Sequence, residues 1–214
     1  MKKIVFVLSL MFFVLGSVCS YADEVKKDKD INKLLTGLTI VSEGTAKAQM
    51  VLTQGIAIIV ADSFWNDLFI LKNRTVIRHI DLYMYCLGGD MFAGFAIIEQ
   101  IKKARKEGFE FTAYASGAIG SMAIPIYASC NTRVAYPSTI FMVHPATLGS
   151  AKMMMTGADL KSQTDLHDMS QNLYVSTLAD YTKLSKEEWL EKTAKDTWFS
   201  AEQAKEWGLV DEIK

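Results

Sequence analysis

The segment "VIRHIDLYMYCLGGDMFAGFAIIEQIKKARKEG", residues 76–108, carries the clearest structural signal in the sequence. Its first half is a β-branched and aromatic run that ends at Gly88 and Gly89, which predicts a strand covered on both faces. Its second half has apolar residues at helical spacing, Phe92 among them, then basic residues and a terminal Gly108. This half predicts a helix with a glycine stop, so the segment is one strand-turn-helix unit.

The same order recurs on both sides of this unit. Upstream, the apolar run "GIAIIVADS" ends at a possible helix cap, Asp62 or Ser63, and the next stretch, "FWNDLFILKN", predicts an amphipathic helix. Downstream, "FEFTAYAS" predicts a strand, and residues 117–120, "GAIG", predict a second glycine turn before an apolar helical segment. If that helix began at Ser121, Pro125 would remove an early intrahelical N–H donor.

The last third of the chain continues the pattern. Residues 132–146 predict two short strands around a turn at Tyr136, and residues 157–185 predict a long helix. A final helix is expected to start at Ser200 and to end before Gly208. Repeated βα units predict an α/β domain with a largely parallel sheet.

The N-terminus has the form of a secretory signal. Lys2 and Lys3 precede an apolar stretch, residues 4–18, which is shorter than a bilayer-spanning helix, and small residues lead up to Ala22. We therefore predict a signal peptide over residues 1–22 that directs export to a periplasmic or extracellular location. The alternative is a retained segment that anchors the protein in the membrane.

The rest of the chain divides into two parts. Residues 23–34 are charged and lack apolar periodicity, which predicts a flexible leader, and residues 35–214 are expected to form the folded domain. The sequence of 214 residues is half apolar and has a formal net charge of −1, so it predicts no nucleic-acid partner. Beyond the signal, Cys86 and Cys130 remain, and whether they pair stays open. The three histidines are scattered and there is no C-x-x-C, so we expect no metal and no cofactor.

The two glycine turns predict a site at the carboxyl ends of parallel strands. Ser121 follows the second turn, and the backbone N–H groups of Gly89 and Met122 would supply two donors for an oxyanion. The alternative is that these glycines make tight turns and nothing more. A serine nucleophile needs a base, and His144 ends a predicted strand, where a loop-borne catalytic side chain is expected. Asp196, in a loop before the last helix, is a candidate for the acid that orients the imidazole.

Four motifs together resemble the proteolytic subunit of the Clp protease, within the larger Clp protease and crotonase fold. They are "YMYCLGGD", "GAIGSMA", "STIFMVHPA" and "DTWFSAEQAKEWGLVDEI", and they occur in the family's order from about Leu82 to Ile213. The resemblance implies Ser121 as nucleophile, His144 as general base and acid, and Asp196 as the orienting acid. It also implies an oxyanion hole at Gly89 and Met122.

The resemblance further implies a protruding handle helix over residues 157–185, through which subunits associate into a homo-oligomer such as a ring. Because an exported protein has no ATP-driven partner at hand, we expect a serine endopeptidase that acts on peptides or unfolded proteins without ATP. Two alternatives stay open. One is a signal-peptide-peptidase-like enzyme of the same fold, with a lysine base, and the other is a non-catalytic interaction protein that has kept the fold.

Overall fold

The computed structural model describes residues 39–41, 46–147 and 154–214. The strands are β1 (Thr39–Val41), β2 (Lys47–Leu52), β3 (His79–Cys86), β4 (Glu110–Gly120), β5 (Thr132–Ala135), β6 (Ile140–Val143), β7 (Thr197–Ser200) and β8 (Glu212–Ile213). The helices are α1 (Ile58–Arg74), α2 (Met91–Lys106), α3 (Ala123–Ala128), α4 (Gly157–Tyr181), α5 (Lys186–Lys192) and α6 (Ala201–Glu206). The predicted signal peptide and leader lie outside the described residues.

The eight described strands form one sheet with the order β1-β2-β3-β4-β5-β8, while β6 pairs with β4 and with β7. The pairs β1–β2 and β6–β7 are antiparallel, and the other five pairings of these strands are parallel. The predicted α/β class with a largely parallel sheet is therefore confirmed. The long strand β4 makes this topology possible, because its first half pairs with β5 and its second half with β6.

The strand-turn-helix unit of residues 76–108 forms β3 and α2 as predicted. Asp90 caps α2 by accepting a hydrogen bond from the Ala93 N–H at 2.7 Å, and Gly108 ends the unit with a φ of +89°. Of its apolar residues, Phe92 is exposed, at 57%, whereas Ile98 and Ile101 are buried. Ala93 and Ile97 complete the face of α2 that packs into the core.

The predicted glycine turn at residues 117–120 is wrong, because β4 runs on through Gly120. This half of β4 stays extended since it pairs with Ile140–Met142 of β6. The turn is confined to Ser121 and Met122, and α3 begins at Ala123. Pro125 thus occupies the third helical position, where an N–H has no intrahelical acceptor, and it costs the helix no hydrogen bond.

The predicted cap of the first helix is wrong as well. α1 begins at Ile58, and Asp62 and Ser63 lie inside it. The helix starts without a side-chain cap at Ala57, and its first turn follows an isolated parallel bridge between Ile56 and Gly89. The bridge fixes the direction in which the chain enters α1, so tertiary context rather than capping chemistry sets this boundary.

α4 divides into two unlike halves. No residue from Gly157 to Met169 is buried, whereas Tyr174, Val175 and Leu178 in the second half pack into the core. The first half therefore extends away from the sheet, as a protruding handle would. The predicted helix over 157–185 ends earlier than expected, because Ser185 caps a separate helix, α5. The last helix, α6, starts after a capping box at Ser200, as predicted.

Two further observations bear on the sequence-based expectations. Cys86 and Cys130 are both buried free thiols, and burial raises the pKa of Cys130 to about 12. In the described ranges, no helix is long and apolar enough to cross a membrane.

Candidate active site

Ser121 stands in a backbone conformation that side chains rarely adopt. Its φ is +51°, and in the described part of the chain it is the one residue other than glycine with a positive φ. Backbone hydrogen bonds hold this conformation: the Ser121 N–H donates to Met142 O at 2.8 Å, and Ser121 O accepts from the Ile124 N–H at 3.0 Å. The strained turn directs the hydroxyl away from the core and to the end of the sheet.

The imidazole of His144 reaches this hydroxyl. His144 Nε2 lies 2.8 Å from Ser121 Oγ. The contact follows from the sheet, because Gly120 of β4 and Met142 of β6 are register partners in parallel strands, and Ser121 and His144 follow the ends of those strands. With Nε2 unprotonated, the serine hydroxyl donates and the imidazole accepts, which is the geometry of a serine and its base.

The turn after β3 approaches the same point. A Cβ atom added at Gly88 would lie 2.6 Å from Ser121 Cβ and 2.9 Å from Met122 N, so no larger residue allows this approach. A Cβ at Gly89 would overlap the Ile56 carbonyl oxygen. Among the described residues, the N–H groups of Gly89 and Met122 donate no hydrogen bond, so both remain able to bind an oxyanion.

Asp196 makes no contact with Ser121 or His144. Its side chain is exposed, and it makes no hydrogen bond or ion pair with any residue that the structure describes. The backbone nevertheless brings it near, since the β6–β7 ladder ends at the pair Val143 and Thr197. His144 follows Val143 and Asp196 precedes Thr197, so the next step of this antiparallel register would place the two opposite each other.

A pocket of about 280 Å³ opens beside Ser121 and His144. Its remaining lining residues are Leu87, Gly89, Met91, Met122, Ala146, Thr147, Gln171 and Tyr174. One wall is apolar and comes from the turn after β3 and from α2, which suits an apolar side chain of a substrate.

The opposite wall comes from α4 and was not foreseen. Burial raises the pKa of Tyr174, and its hydroxyl donates to the Ser121 carbonyl oxygen at 3.1 Å. From the sequence, residues 157–185 are expected to form a handle for self-association, and none of their side chains is predicted at the site. The signal that could have found the wall is the spacing of His167, Gln171 and Tyr174, which puts three side chains on one helix face.

Two other chemistries can be weighed at this site. Cys86 lies below the turn with its Sγ 3.1 Å from Gln54 O, and burial raises the pKa of the thiol, so a thiolate nucleophile is disfavoured there. Over the ranges that the structure describes, no three His, Cys, Asp or Glu side chains are grouped so that they could hold a metal ion.

Comparison with known proteins agrees with this fold. The "ATP-dependent Clp protease proteolytic subunit 2" of Corynebacterium efficiens is 28% identical over 156 residues, which cover 72% of this chain and 75% of that protein. The "ATP-dependent Clp protease proteolytic subunit 1" of Corynebacterium jeikeium is 28% identical over 157 residues, which cover 72% of this chain and 80% of that protein.

A solved structure gives the same result for the fold. "ClpP1 N165D mutant from Listeria monocytogenes" superimposes with a TM-score of 0.68 at 21% identity, covering 78% of this chain and 90% of that chain. The predicted Clp protease and crotonase type of fold is thereby confirmed. Residues 33–214 match the sequence profile described as Clp protease, so this chain belongs to the Clp protease family.

Proposed function

We propose that this protein is a serine endopeptidase that hydrolyses peptides or unfolded proteins. The observation that carries the proposal is the 2.8 Å contact between Ser121 Oγ and His144 Nε2, at a strained turn beside two free backbone N–H groups. A serine, a base within hydrogen-bond reach and a pair of convergent donors are the parts that acyl transfer needs. Membership of a family of proteolytic subunits supports the same reaction class.

The residues act in a defined order. Ser121 Oγ attacks the carbonyl carbon of the scissile peptide bond while its proton passes to His144 Nε2, and the N–H groups of Gly89 and Met122 stabilise the oxyanion. His144 then gives that proton to the leaving amine, and the C–N bond breaks to leave an acyl-enzyme. A water molecule, deprotonated by His144, releases the acyl group and restores the Ser121 hydroxyl.

Asp196 is the proposed orienting acid. The β6–β7 register supports this role, because one further step of the ladder would face Asp196 with His144. A carboxylate at that position would accept a hydrogen bond from Nδ1 and favour the tautomer in which Nε2 is free to act as a base.

The two alternative functions are less well supported. No lysine lines the pocket that contains Ser121, so a Ser-Lys pair has no base in this part of the described chain. A non-catalytic interaction protein would have no need for the strained Ser121 conformation or for its contact with His144. The exposed carboxylate of Asp196 is the observation that keeps this second alternative open.

We further propose self-association and export. Apolar side chains on the exposed part of α4, including Leu166, Met169 and Leu173, form a stripe that a second copy of this chain would bury. Sedimentation of wild type against a Met169→Glu, Leu173→Glu double variant tests this contact.

The proposed export signal over residues 1–22 is tested by sequencing the N-terminus of protein from the exported fraction, where Asp23 is the expected first residue.

The nucleophile is tested with Ser121→Ala. We expect wild type to cleave a fluorogenic peptide and to react with a fluorophosphonate probe without ATP, and the variant to lose both activities. Ser138→Ala, in the exposed turn between β5 and β6, is the matched control and should behave as wild type. Hydrolysis and labelling that survive in Ser121→Ala would overturn the proposal.

A further inference from the structure

Three polar side chains on one face of α4 contact the two elements that carry Ser121 and His144. His167, Gln171 and Tyr174 follow the i, i+4, i+7 pattern of a single helix face. Tyr174 donates to the carbonyl oxygen of Ser121, and the other two contact Ala146, two residues after His144. The helix thus holds the nucleophile turn and the segment that follows the histidine.

Both backbone groups of Ala146 are bound by this face. Its N–H donates to Gln171 Oε1 at 2.9 Å, and its carbonyl oxygen lies 3.0 Å from His167 Nε2. Since a carbonyl oxygen can only accept, His167 must carry its proton on Nε2 here. Residues 144–147 belong to no helix or strand. These two hydrogen bonds therefore satisfy and fix the backbone of this segment, as the hydrogen bonds to neighbouring strands fix β6.

Gln171 also reaches the segment that leads to Asp196. Its Nε2 donates to Thr193 Oγ1 at 2.8 Å, and the Thr193 hydroxyl in turn donates to Trp189 O at 2.8 Å. Thr193 and Trp189 are buried, which anchors this end of the chain of hydrogen bonds in the core between α4 and α5. Gln171 therefore bridges two segments, one beginning at His144 and one ending at Asp196.

We infer that Gln171 is a positioning residue that aligns His144 with Ser121, with His167 as its second support. This inference rests on the proposed function. The imidazole of His144 has Ser121 as its one hydrogen-bond partner among the described residues, so no side chain holds Nδ1. Its alignment depends on the backbone, which is fixed by β6 before His144 and by the bound Ala146 peptide after it.

The hydrogen-bond directions determine which substitutions separate positioning from packing. Gln171→Met has a similar shape and removes both hydrogen bonds. Gln171→Glu keeps the acceptor for the Ala146 N–H, and the Thr193 hydroxyl can turn to donate to the new carboxylate. Gln163→Met is the matched control, because Gln163 lies on the same helix and makes no hydrogen bond within the described residues.

The experiment measures kcat and KM for a fluorogenic peptide, together with hydrogen exchange of the peptide that contains the Ala146 amide. We expect Gln171→Met to lower kcat roughly ten- to hundred-fold, because a misplaced base loses that much, and to change KM little. Exchange at Ala146 should become faster in the same variant. Gln171→Glu should recover most of kcat, and Gln163→Met should match wild type in both measurements.

Equal losses of kcat in Gln171→Met and Gln171→Glu would show a packing role and overturn the inference. So would unchanged kcat with unchanged exchange, or a change in KM alone, which would mean that Gln171 contributes to substrate binding and not to the position of His144. A wild type that neither hydrolyses peptide nor reacts with the fluorophosphonate overturns the proposed function instead. The exchange measurement then decides by itself whether Gln171 holds the segment after His144.

Discussion

Ser121 and His144 are in contact, whereas Asp196 lies within one register step of His144 and makes no contact with it. The difference follows from where each residue sits in the sheet. Ser121 and His144 follow the ends of β4 and β6, which pair in parallel, and β4 is enclosed by β3, β5 and β6. Asp196 precedes β7, which pairs with β6 alone among the described strands.

Residues that follow β4 and β6 are thus positioned by strands that are paired on both sides. A residue that precedes β7, which is paired on one side, is less constrained. The β4–β6 ladder brings Ser121 and His144 into contact, with the Ser121 N–H bound to Met142 O of β6 at 2.8 Å. The side chain of Asp196, in contrast, is exposed and is held by no contact with a described residue. The two parts of the site can therefore be perturbed separately.

The largest expected effect comes from replacing His144, the proposed base. We expect His144→Ala to lower kcat by roughly 10⁴-fold, because the hydroxyl of Ser121 is weakly nucleophilic without a proton acceptor. Steady-state hydrolysis of a fluorogenic peptide measures the change. His79→Ala is the matched control, since His79 lies at the opposite end of β3 from the glycine turn and should leave kcat near wild type. A loss below ten-fold in His144→Ala would contradict a histidine base.

The proximity of Ser121 and His144 could be predicted from the sequence, for a physical reason. The β-branched run of β3 and the glycines after it identify a strand end, and a parallel sheet gathers its strand ends at one edge. Ser121 and His144 each follow such a run, so their meeting needs no knowledge of side-chain contacts. The same reasoning placed Gly89 and Met122 beside them.

The predictions that failed depend on contacts between distant segments. Residues 117–120 look like a turn by composition, and they remain a strand because β6 pairs with them. α1 begins at Ile58 because Ile56 bridges to Gly89, far along the chain. The wall formed by Gln171 and Tyr174 depends on how α4 packs over the strand ends, so the helix face that these residues share does not by itself place them beside Ser121.

The close contact between the turn at Gly88 and Ser121 can be disrupted without changing the side chain of Ser121 or His144. Gly88 has a φ of +99°, and a Cβ there would lie 2.6 Å from Ser121 Cβ. We expect Gly88→Ala to displace the Ser121 turn and to lower kcat roughly hundred-fold. Gly157→Ala, at the exposed start of α4 with open space around it, is the control and should have no effect. Normal kcat in Gly88→Ala would mean that the two turns need not be this close.

Asp196→Asn tests the separate half of the site. Because the Ser121 and His144 contact forms while the carboxylate is exposed, we expect a loss of kcat of roughly ten-fold, the value of one hydrogen bond to a charged group. The same assay as for His144→Ala gives the comparison directly. Asp165→Asn, on the exposed half of α4, is the control. A loss as large as that of His144→Ala would show that Asp196 is indispensable and that the serine and histidine do not form a sufficient pair.

The smallest effect is expected from Tyr174→Phe, which removes the α4 contact to the Ser121 backbone. The buried hydroxyl donates to Ser121 O at 3.1 Å, and this oxygen keeps its second hydrogen bond, from the Ile124 N–H at 3.0 Å. Because the carbonyl is not left without a donor, we expect the free energy of unfolding to fall by about 1 kcal/mol. Urea unfolding at equal protein concentration measures this, with Tyr136→Phe as the exposed control.

The accompanying change in kcat should be no more than a few-fold, because the β4–β6 ladder still positions Ser121 when the Tyr174 hydrogen bond is removed. A larger loss of kcat from Tyr174→Phe than from Asp196→Asn would mean that the Tyr174 contact matters more to the reaction than Asp196 does. It would mean that α4, rather than the sheet, maintains the strained conformation of Ser121.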